Sequence, residues 1–157
     1  MTLEAAVSWR QDLARAGREL VLTNGCFDIV HRGHVQYLAQ ARQLGDALLV
    51  AINSDESVRA NKGPGRPVVP EADRAYLIAS LEAVDAVVVF ETPNALDVIR
   101  QVKPDIYAKG GDYRPETLVH EEYLLLKELQ TRVEILPLVA GLSTTNIIRA
   151  VREGNPL

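Results

Sequence analysis

The sequence predicts an α/β fold, namely a Rossmann-like, doubly wound parallel sheet of five strands with helices on both faces. Short apolar runs alternate along the 157-residue chain with longer segments of helical periodicity, which is the order of right-handed β-α-β units. One of these runs, Ala47–Asn53 (ALLVAIN), is almost continuously apolar, as expected for a parallel strand that is buried on both faces. The chain length suits a single core, so the pattern predicts one domain.

The predicted elements end at glycine and proline signals. The first helix, with Trp9 and Leu13 at helical spacing, stops at Gly17, and the second helix stops at Gly45. The stretch Asn61–Pro70 carries three prolines and two glycines and is predicted to be a loop. The predicted strands are Glu19–Thr23, Ala47–Asn53, Ala86–Phe90, Asp105–Ala108 and Val133–Leu136. The predicted helices are Thr2–Ala16, His34–Leu44, Glu71–Leu81, Asn94–Gln101, His120–Leu129 and Thr144–Arg152.

The composition excludes several classes of function. Hydrophobic residues make up 47% of the chain and charged residues 24%, which is ordinary for a folded soluble protein, and no apolar run approaches the ~20 residues that span a bilayer. The N-terminal residues mix charged with apolar side chains and do not resemble a secretory signal, so we expect a cytoplasmic protein that binds no membrane. The net charge of −4 argues against nucleic-acid binding, and the single cysteine, Cys26, excludes an internal disulfide and any multi-cysteine metal site.

Ligands of parallel sheets bind at the carboxyl ends of the strands, so the loops that follow strands are the candidates for function. The predicted loops of this kind are Asn24–His34, Ser54–Pro70, Lys109–Arg114 and Ala140–Thr145. We therefore expect the functional residues to cluster at one edge of the sheet.

The first of these loops has the features of a phosphate site. Gly25 lets the backbone approach a ligand closely, and Gly33 leaves room for a phosphate against the backbone. His31 and His34 lie three residues apart across the start of a helix, so their rings can sit on one side of it. The free N–H groups of a helix N-terminus favour anions. Two imidazoles beside those donors would hydrogen-bond phosphate oxygens as negative charge builds on a leaving pyrophosphate.

Two other interpretations of the histidine pair stay open. His31, His34 and Asp28 could bind zinc, although the spacing differs from the i, i+4 pattern of the helical zinc motif. Either histidine could also serve only to cap the helix and pack against it. The glycine-rich loop between strand and helix favours phosphate binding over both, and we predict no metal site made of protein ligands.

The run Gly25-Cys-Phe-Asp-Ile-Val-His-Arg-Gly-His34 resembles the HxGH signature of the cytidylyltransferase-like nucleotidyltransferases. The resemblance extends from about Leu13 to Arg152 and is closest to the adenylyltransferase domain that activates D-glycero-β-D-manno-heptose 1-phosphate. It implies transfer of AMP from ATP to a sugar 1-phosphate, release of pyrophosphate, Mg²⁺ bound with the ATP, and a homodimer. In many relatives a sugar kinase precedes this domain, whereas only Met1–Arg18 precede the first predicted strand here. We therefore expect one nucleotidyltransferase domain over residues 1–157, with residues 1–18 as a helical extension.

The resemblance also implies roles for individual residues. The expected catalytic residues are His31, His34 and Lys62, and a lysine is a compact cation that suits a transferring phosphoryl group. Arg74 lies in the first turn of a helix, where a cation opposes the helix dipole unless an anion compensates. Nucleotide binding is implied for Thr23, Asn24, Gly25, Cys26, Phe27, Gly33, Arg74, Lys109, Gly110, Ser143, Thr144 and Thr145. Acceptor binding is implied for Asp28, Arg66, Gly111, Asp112 and Tyr113.

Structural alternatives exist for several of these residues. Lys62 could be a solvated surface lysine, and Arg74 could form a salt bridge to Glu71 or Asp73. The glycines after Lys109 could serve a tight turn, and the Ser-Thr-Thr run before the last helix could only cap it. The alternatives for the whole chain are a cytidylyltransferase for glycerol 3-phosphate or a similar alcohol phosphate, and a nucleotide-sensing module that binds without turnover.

The donor nucleotide is predicted from the segment before the last helix. Similar cytidylyltransferases carry an arginine there, in an Arg-Thr-x-Gly-Ile-Ser-Thr run, and that arginine could hydrogen-bond a pyrimidine edge. This chain has Leu138 and Val139 in the same stretch, and apolar side chains suit packing against a purine face. We therefore expect ATP to be preferred over CTP.

Overall fold

The computed structural model describes residues 1–111, 120–137, 139 and 141–154. Its strands are β1 (Leu20–Gly25), β2 (Ala47–Asn53), β3 (Ala86–Phe90), β4 (Ile106–Gly110) and β5 (Arg132–Leu136). All neighbouring pairs are parallel, and the order across the sheet is β3-β2-β1-β4-β5. The helices of the described residues are α1 (Leu3–Arg15), α2 (Arg32–Arg42), α3 (Asp55–Lys62), α4 (Glu71–Ala79), α5 (Leu96–Val102), α6 (His120–Glu128) and α7 (Thr144–Glu153). The predicted Rossmann-like fold is confirmed.

Two apolar layers cover the two faces of the sheet. Alternate residues of a strand point to opposite faces, so Leu49 and Ala51 of β2 pack with α1, α5 and α6, while Leu48 and Val50 pack with α2 and α4. Every residue of β2 is buried, as its apolar sequence predicts. The helical segment at residues 1–18 is part of this packing, because α1 contributes buried side chains to the first layer.

The strand order places a crevice between β1 and β4. The chain winds outward from β1 through β2 to β3 and then returns to β4 on the other side of β1. Ligands of doubly wound sheets bind at such a reversal, outside the carboxyl ends of the strands. The hydroxyl of Tyr37 on α2 bonds to the Thr23 hydroxyl at 2.6 Å and to the Ala108 carbonyl at 3.0 Å, and so ties α2 to both strands beneath the crevice.

The main difference from the predicted elements is α3, which lies in a stretch predicted to be a loop. The Ser54 hydroxyl caps this helix by accepting a bond from the Ser57 N–H at 3.1 Å, and two acidic residues in the first turn complement the helix dipole. The helix ends at Gly63, whose φ of 93° needs a glycine. Only Ser57 and Val58 of α3 are buried, so its sequence lacks the apolar periodicity on which the prediction relied.

The end of β4 also differs from the prediction. Lys109 and Gly110 were expected in a loop, but both belong to the strand and pair with Ile135 and Leu136 of β5. No helix in the described residues is long and apolar enough to cross a membrane.

Candidate active site

A cavity of about 580 Å³ opens at the carboxyl ends of the strands. It gathers residues from the end of β1, the loop before α2, the end of α3, the end of β4 and the start of α7. The predicted site residues that line it are Asn24, Gly25, Cys26, Phe27, Asp28, His34, Lys62, Arg66, Lys109, Gly110, Thr144 and Thr145. A smaller neighbouring cavity of about 180 Å³ is lined by His31, Gly33 and Ser143 together with His34 and Thr144.

The two histidines stack at the N-terminus of α2. Their ring centroids are 3.9 Å apart with an interplanar angle of 22°. His31 is the N-cap, and its Nδ1 accepts a bond from the Gly33 N–H at 3.1 Å. Neutral His31 therefore carries its hydrogen on Nε2, where it can be donated to a ligand. A Cβ atom at Gly33 would lie 2.9 Å from the His31 ring, so this close approach requires glycine.

Burial keeps both histidines neutral at neutral pH. The pKa of His34 is lowered from 6.5 to about 4, first by burial and then by the neighbouring His31. Burial also lowers the pKa of His31. The Nδ1 atom of His34 is buried and has no hydrogen-bond partner among the described residues. The pair can therefore donate hydrogen bonds to a phosphate without carrying a fixed charge.

The N-terminus of α7 faces the same cavity. The Ser143 hydroxyl accepts a bond from the Asn146 N–H at 3.1 Å, so the predicted capping role is present. Thr144 and Thr145 follow it and line the cavity. Hydroxyls and free N–H groups of this helix end, together with those of α2, form a surface that favours an anion.

Asp28 and Arg66 form a largely buried ion pair at the cavity wall. The Asp28 carboxylate is fully buried and accepts bonds from Arg66 Nε and from the Val68 and Val69 N–H groups. Asp28 thus fixes the segment between α3 and α4. Among the described residues no partner is found for the remaining side-chain N–H groups of Arg66, so they can bind a ligand, whereas both oxygens of Asp28 already accept protein bonds.

The alternative of a zinc site finds no support in this geometry. The described residues contain no group of three His, Cys, Asp or Glu side chains that could hold a metal ion. Asp28, the carboxylate that would join the two histidines, is bound to Arg66 and to backbone N–H groups.

The sequence matches a family model described as cytidylyltransferase-like over residues 22–150. The chain belongs to the cytidylyltransferase-like family. Relatives named Bifunctional protein HldE from Syntrophotalea carbinolica and Nitratiruptor sp. are each 50% identical to it, over 137 and 142 residues. These matches cover 87% and 90% of this chain but 28% and 29% of the relatives, so the chain spans less than a third of their length.

A solved structure supports the same family. The lipopolysaccharide core biosynthesis protein from Thermoplasma volcanium GSS1 is 31% identical to this chain and superposes with a TM-score of 0.64. The superposition covers 78% of this chain and 98% of the other. The chain is therefore a nucleotidyltransferase of the cytidylyltransferase-like family.

Arg74, predicted to bind the nucleotide, is fully buried and does not line the cavity. Four of its N–H groups donate to protein acceptors, which are the carbonyls of Val69, Cys26 and Asn53 and the carboxylate of Asp55. Its salt bridge is made to Asp55 at 2.7 Å and not to Glu71 or Asp73 of its own helix, which were the alternative partners. The structure therefore places Arg74 behind the cavity wall, where it holds the surrounding segments.

The remaining predicted residues differ in their position relative to the cavity. Thr23 is fully buried and bonds to Tyr37, so it lies below the cavity. Gly111 pairs with the Leu136 carbonyl at 3.0 Å and is not among the residues that line the cavity. Burial raises the pKa of the Cys26 thiol, which excludes a thiolate nucleophile at neutral pH. The predicted residues Asp112 and Tyr113 lie outside the described residues.

Residues that were not predicted complete the cavity. They are Asn53, Asn61, Pro93, Asn94 and Glu122. Asn53 ends β2 and Asn94 follows β3, so the rule that ligands bind at strand ends could have found both. Glu122 lies on α6, one turn into a helix, and no motif in the sequence marks it.

We predict that Arg74→Lys destabilises the protein. Lysine cannot reach all four acceptors, so buried carbonyls and Asp55 lose partners, and we expect a loss of about 3–5 kcal/mol in the free energy of unfolding. Urea denaturation measures this loss, and Arg100→Lys, an exposed arginine paired with Asp97, is the matched control. An unchanged free energy of unfolding together with weaker ATP binding would instead indicate that Arg74 binds the nucleotide.

We also predict a pH-dependent stability that arises at His34. Its pKa is about 4 in the folded protein and near 6.5 when unfolded, so between these values the unfolded state binds more protons. Stability is therefore lost as the pH falls from 6.5 towards 4. In His34→Gln the decrease in Tm over this range should be shallower than in the wild type, while His120→Gln, at an exposed histidine, should behave like the wild type. The same decrease in Tm with falling pH in all three proteins would contradict the assignment of this pH dependence to His34.

Proposed function

We propose that the chain transfers AMP from ATP to a sugar 1-phosphate, specifically D-glycero-β-D-manno-heptose 1-phosphate. The observation that carries this proposal is a pair of neighbouring cavities onto which two helix N-termini, the stacked histidines and three cations converge, the cations being Lys62, Arg66 and Lys109. This set of donors suits a triphosphate better than a single phosphate. The names of the relatives, HldE and a lipopolysaccharide core biosynthesis protein, support a sugar phosphate as the acceptor.

The proposed reaction is an in-line displacement at the α-phosphorus of ATP. An oxygen of the acceptor phosphate forms a new bond to that phosphorus, and the bond from phosphorus to the α,β-bridging oxygen breaks. The bridging oxygen leaves with the electron pair as part of pyrophosphate, and the product is an ADP-sugar. The attacking phosphate is already an anion, so no general base is needed, and catalysis comes from positioning and charge stabilisation.

Different residues at the cavities contribute to positioning and to charge stabilisation according to their chemistry. His31 and His34 donate neutral N–H groups, whose bonds strengthen as charge builds on the leaving pyrophosphate. Lys62 is exposed at the last position of α3, where its stem can swing over a triphosphate. Arg66, oriented by Asp28, offers its remaining N–H groups to the acceptor phosphate.

We propose Mg²⁺ as the divalent ion that accompanies the nucleotide in this family. The described residues offer no carboxylate cage for it. Mg²⁺ keeps several waters and commonly binds through substrate phosphates, so an open cavity without protein ligands suits it. When bound it would neutralise charge on the triphosphate.

Residues 1–157 form a single nucleotidyltransferase domain in this proposal, and the chain works as a homodimer in the cytoplasm. The homodimer is what the resemblance described above implies, and the single domain agrees with the family match over residues 22–150.

The proposal predicts ATP as the donor. Val139 and Leu142 line the small cavity beside the histidines, and such apolar side chains suit a purine face, while Leu138 lies outside the described residues. Pyrophosphate release should be measured as kcat/KM for ATP and CTP, each with heptose 1-phosphate and with glycerol 3-phosphate. We expect ATP with heptose 1-phosphate to be the best pair. Faster turnover of CTP with glycerol 3-phosphate would support the cytidylyltransferase alternative, and binding without pyrophosphate release would support a sensor.

The proposal also predicts different effects for two variants. His34→Ala should lower kcat by roughly 10²–10³-fold with little change in ATP affinity, as expected for loss of one preorganised donor. Lys62→Ala should slow the reaction without lowering Tm, because the side chain is exposed. Arg59→Ala, at an exposed arginine of the same helix that does not line the cavity, is the control. A kcat of His34→Ala close to that of wild type would show that His34 does not contribute to catalysis.

A further inference from the structure

The cavity has two ends of different chemistry. At one end, His34 and Thr144 lie near the N-termini of α2 and α7, with Lys62 and Arg66 on the adjoining wall. At the other end, the lining side chains are Asn94 before α5, Glu122 on α6 and Lys109, whose ammonium group bonds to the Asn24 side-chain oxygen at 3.0 Å. Helix α2 packs on one face of the sheet and α5 and α6 pack on the other, so the two ends lie on opposite sides of the strand ends.

Glu122 is the carboxylate of the second end. It is 2% exposed, its Oε1 accepts a bond from the Ala95 N–H at 2.9 Å, and its Oε2 faces the Tyr107 hydroxyl at 3.4 Å. Each carboxylate oxygen can accept two bonds, so capacity for a further donor remains. Lys109 contacts the same cluster through the Asn24 side chain, to which Tyr107 also donates.

The amides nearby supply complementary groups. Asn61 donates through Nδ2 to the Pro93 carbonyl at 2.9 Å, which leaves its carbonyl oxygen as an acceptor. The Asn94 side-chain oxygen lies 3.4 Å from the Leu96 N–H, which leaves its NH₂ group as a donor. Donors and acceptors that alternate in this way match hydroxyl groups, which both donate and accept.

The chemistry of a sugar phosphate matches the two ends. Its phosphate is an anion and belongs with the cations and helix N-termini, whereas its hydroxyls need hydrogen-bond acceptors, which cations cannot provide. The carboxylates that line the described cavity are Asp28 and Glu122. Asp28 already accepts three protein bonds and is paired with the Arg66 cation, whereas Glu122 accepts one bond at 2.9 Å and one at 3.4 Å. Of these two described carboxylates, Glu122 therefore has the greater capacity for a sugar hydroxyl.

We propose that Glu122, assisted by Asn94 and Asn61, binds hydroxyl groups of the acceptor sugar and thereby selects a polyol phosphate over a simple alkyl phosphate. This inference rests on the proposed transfer of AMP to a sugar phosphate. It adds the residues that recognise the sugar, since the residues of the HxGH loop recognise phosphate.

The test compares Glu122→Gln with wild type, using ATP and heptose 1-phosphate as substrates. The amide keeps an oxygen for the Ala95 N–H but loses the charge that strengthens a hydroxyl bond. We expect KM for the acceptor to rise by roughly 10–100-fold, as for loss of a bond to a charged group, with KM for ATP unchanged. Glu121→Gln, at the exposed neighbouring position on α6, is the matched control and should leave both KM values unchanged.

A series of monodeoxy mannose 1-phosphates identifies the hydroxyl concerned. In wild type, removal of the hydroxyl that contacts Glu122 should lower kcat/KM, and in Glu122→Gln the same removal should have little further effect, because the two changes delete one interaction. Asn94→Ala provides a second variant if Glu122→Gln melts at a much lower temperature than wild type. It should also raise KM for the acceptor.

The outcomes separate the inference from the function on which it rests. Absence of pyrophosphate release by wild type with every sugar 1-phosphate would overturn the proposed function and the inference with it. Turnover by wild type with an unchanged acceptor KM in Glu122→Gln and Asn94→Ala would overturn the inference alone. A raised KM for ATP in place of the acceptor KM would also overturn it, because Glu122 would then contact the nucleotide.

Discussion

The buried guanidinium of Arg74 holds together the segments that form the cavity. It binds the carbonyls of Cys26, Asn53 and Val69 and the carboxylate of Asp55, so it joins the loop before α2, the end of β2, the start of α3 and the segment before α4. A charged group buried without these partners would cost several kcal/mol. If any of the four segments moved away, the guanidinium or one of its acceptors would be left buried without a hydrogen-bond partner. This constraint fixes the shape of the cavity wall in front of Arg74.

The ion pair of Asp28 and Arg66 also holds part of the cavity wall, at a position closer to the proposed ligand. Asp28 is wholly buried and its oxygens are engaged, whereas Arg66 keeps part of its guanidinium at the cavity. The charged side chains at the cavity therefore fall into two groups according to their burial. Arg74 makes four bonds to protein acceptors and Asp28 accepts three from protein donors, so both set the geometry, while Arg66 and the exposed Lys62 retain the capacity to bind an anion. A buried charge in a binding site is thus better interpreted through its partners than through its residue type.

The sequence could predict the features that depend on local pattern. Strand β2 was predicted to the residue because both of its faces are buried, and the histidine pair was found because glycines and a helix start surround it. Helix α3 was not predicted, since only two of its residues are buried and its cap lies outside any apolar repeat. The role of Arg74 could not be predicted either, because its acceptors come from segments up to 48 residues away along the chain.

Glu122 is a residue of the binding site that a local sequence pattern could not predict. Its partners are Ala95, the N-cap of α5, and Tyr107 of β4, and the tertiary fold brings these segments together at the cavity. The phosphate-binding residues lie in short motifs because a helix N-terminus and its preceding loop form one continuous segment. The residues at the other end come from three separate segments, so no motif could mark them.

The neutrality of the histidine pair bears on how catalysis and binding are separated. A full positive charge attracts the triphosphate in the ground state as well as in the transition state, and uniform binding of this kind does not raise kcat. A neutral N–H donor binds the ground state weakly and gains strength as charge develops on the leaving oxygen. Burial lowers the pKa of His34 to about 4, so this donor carries no fixed charge at neutral pH before a nucleotide binds. Under the proposed reaction, the stacked histidines therefore contribute to the difference in binding between ground state and transition state.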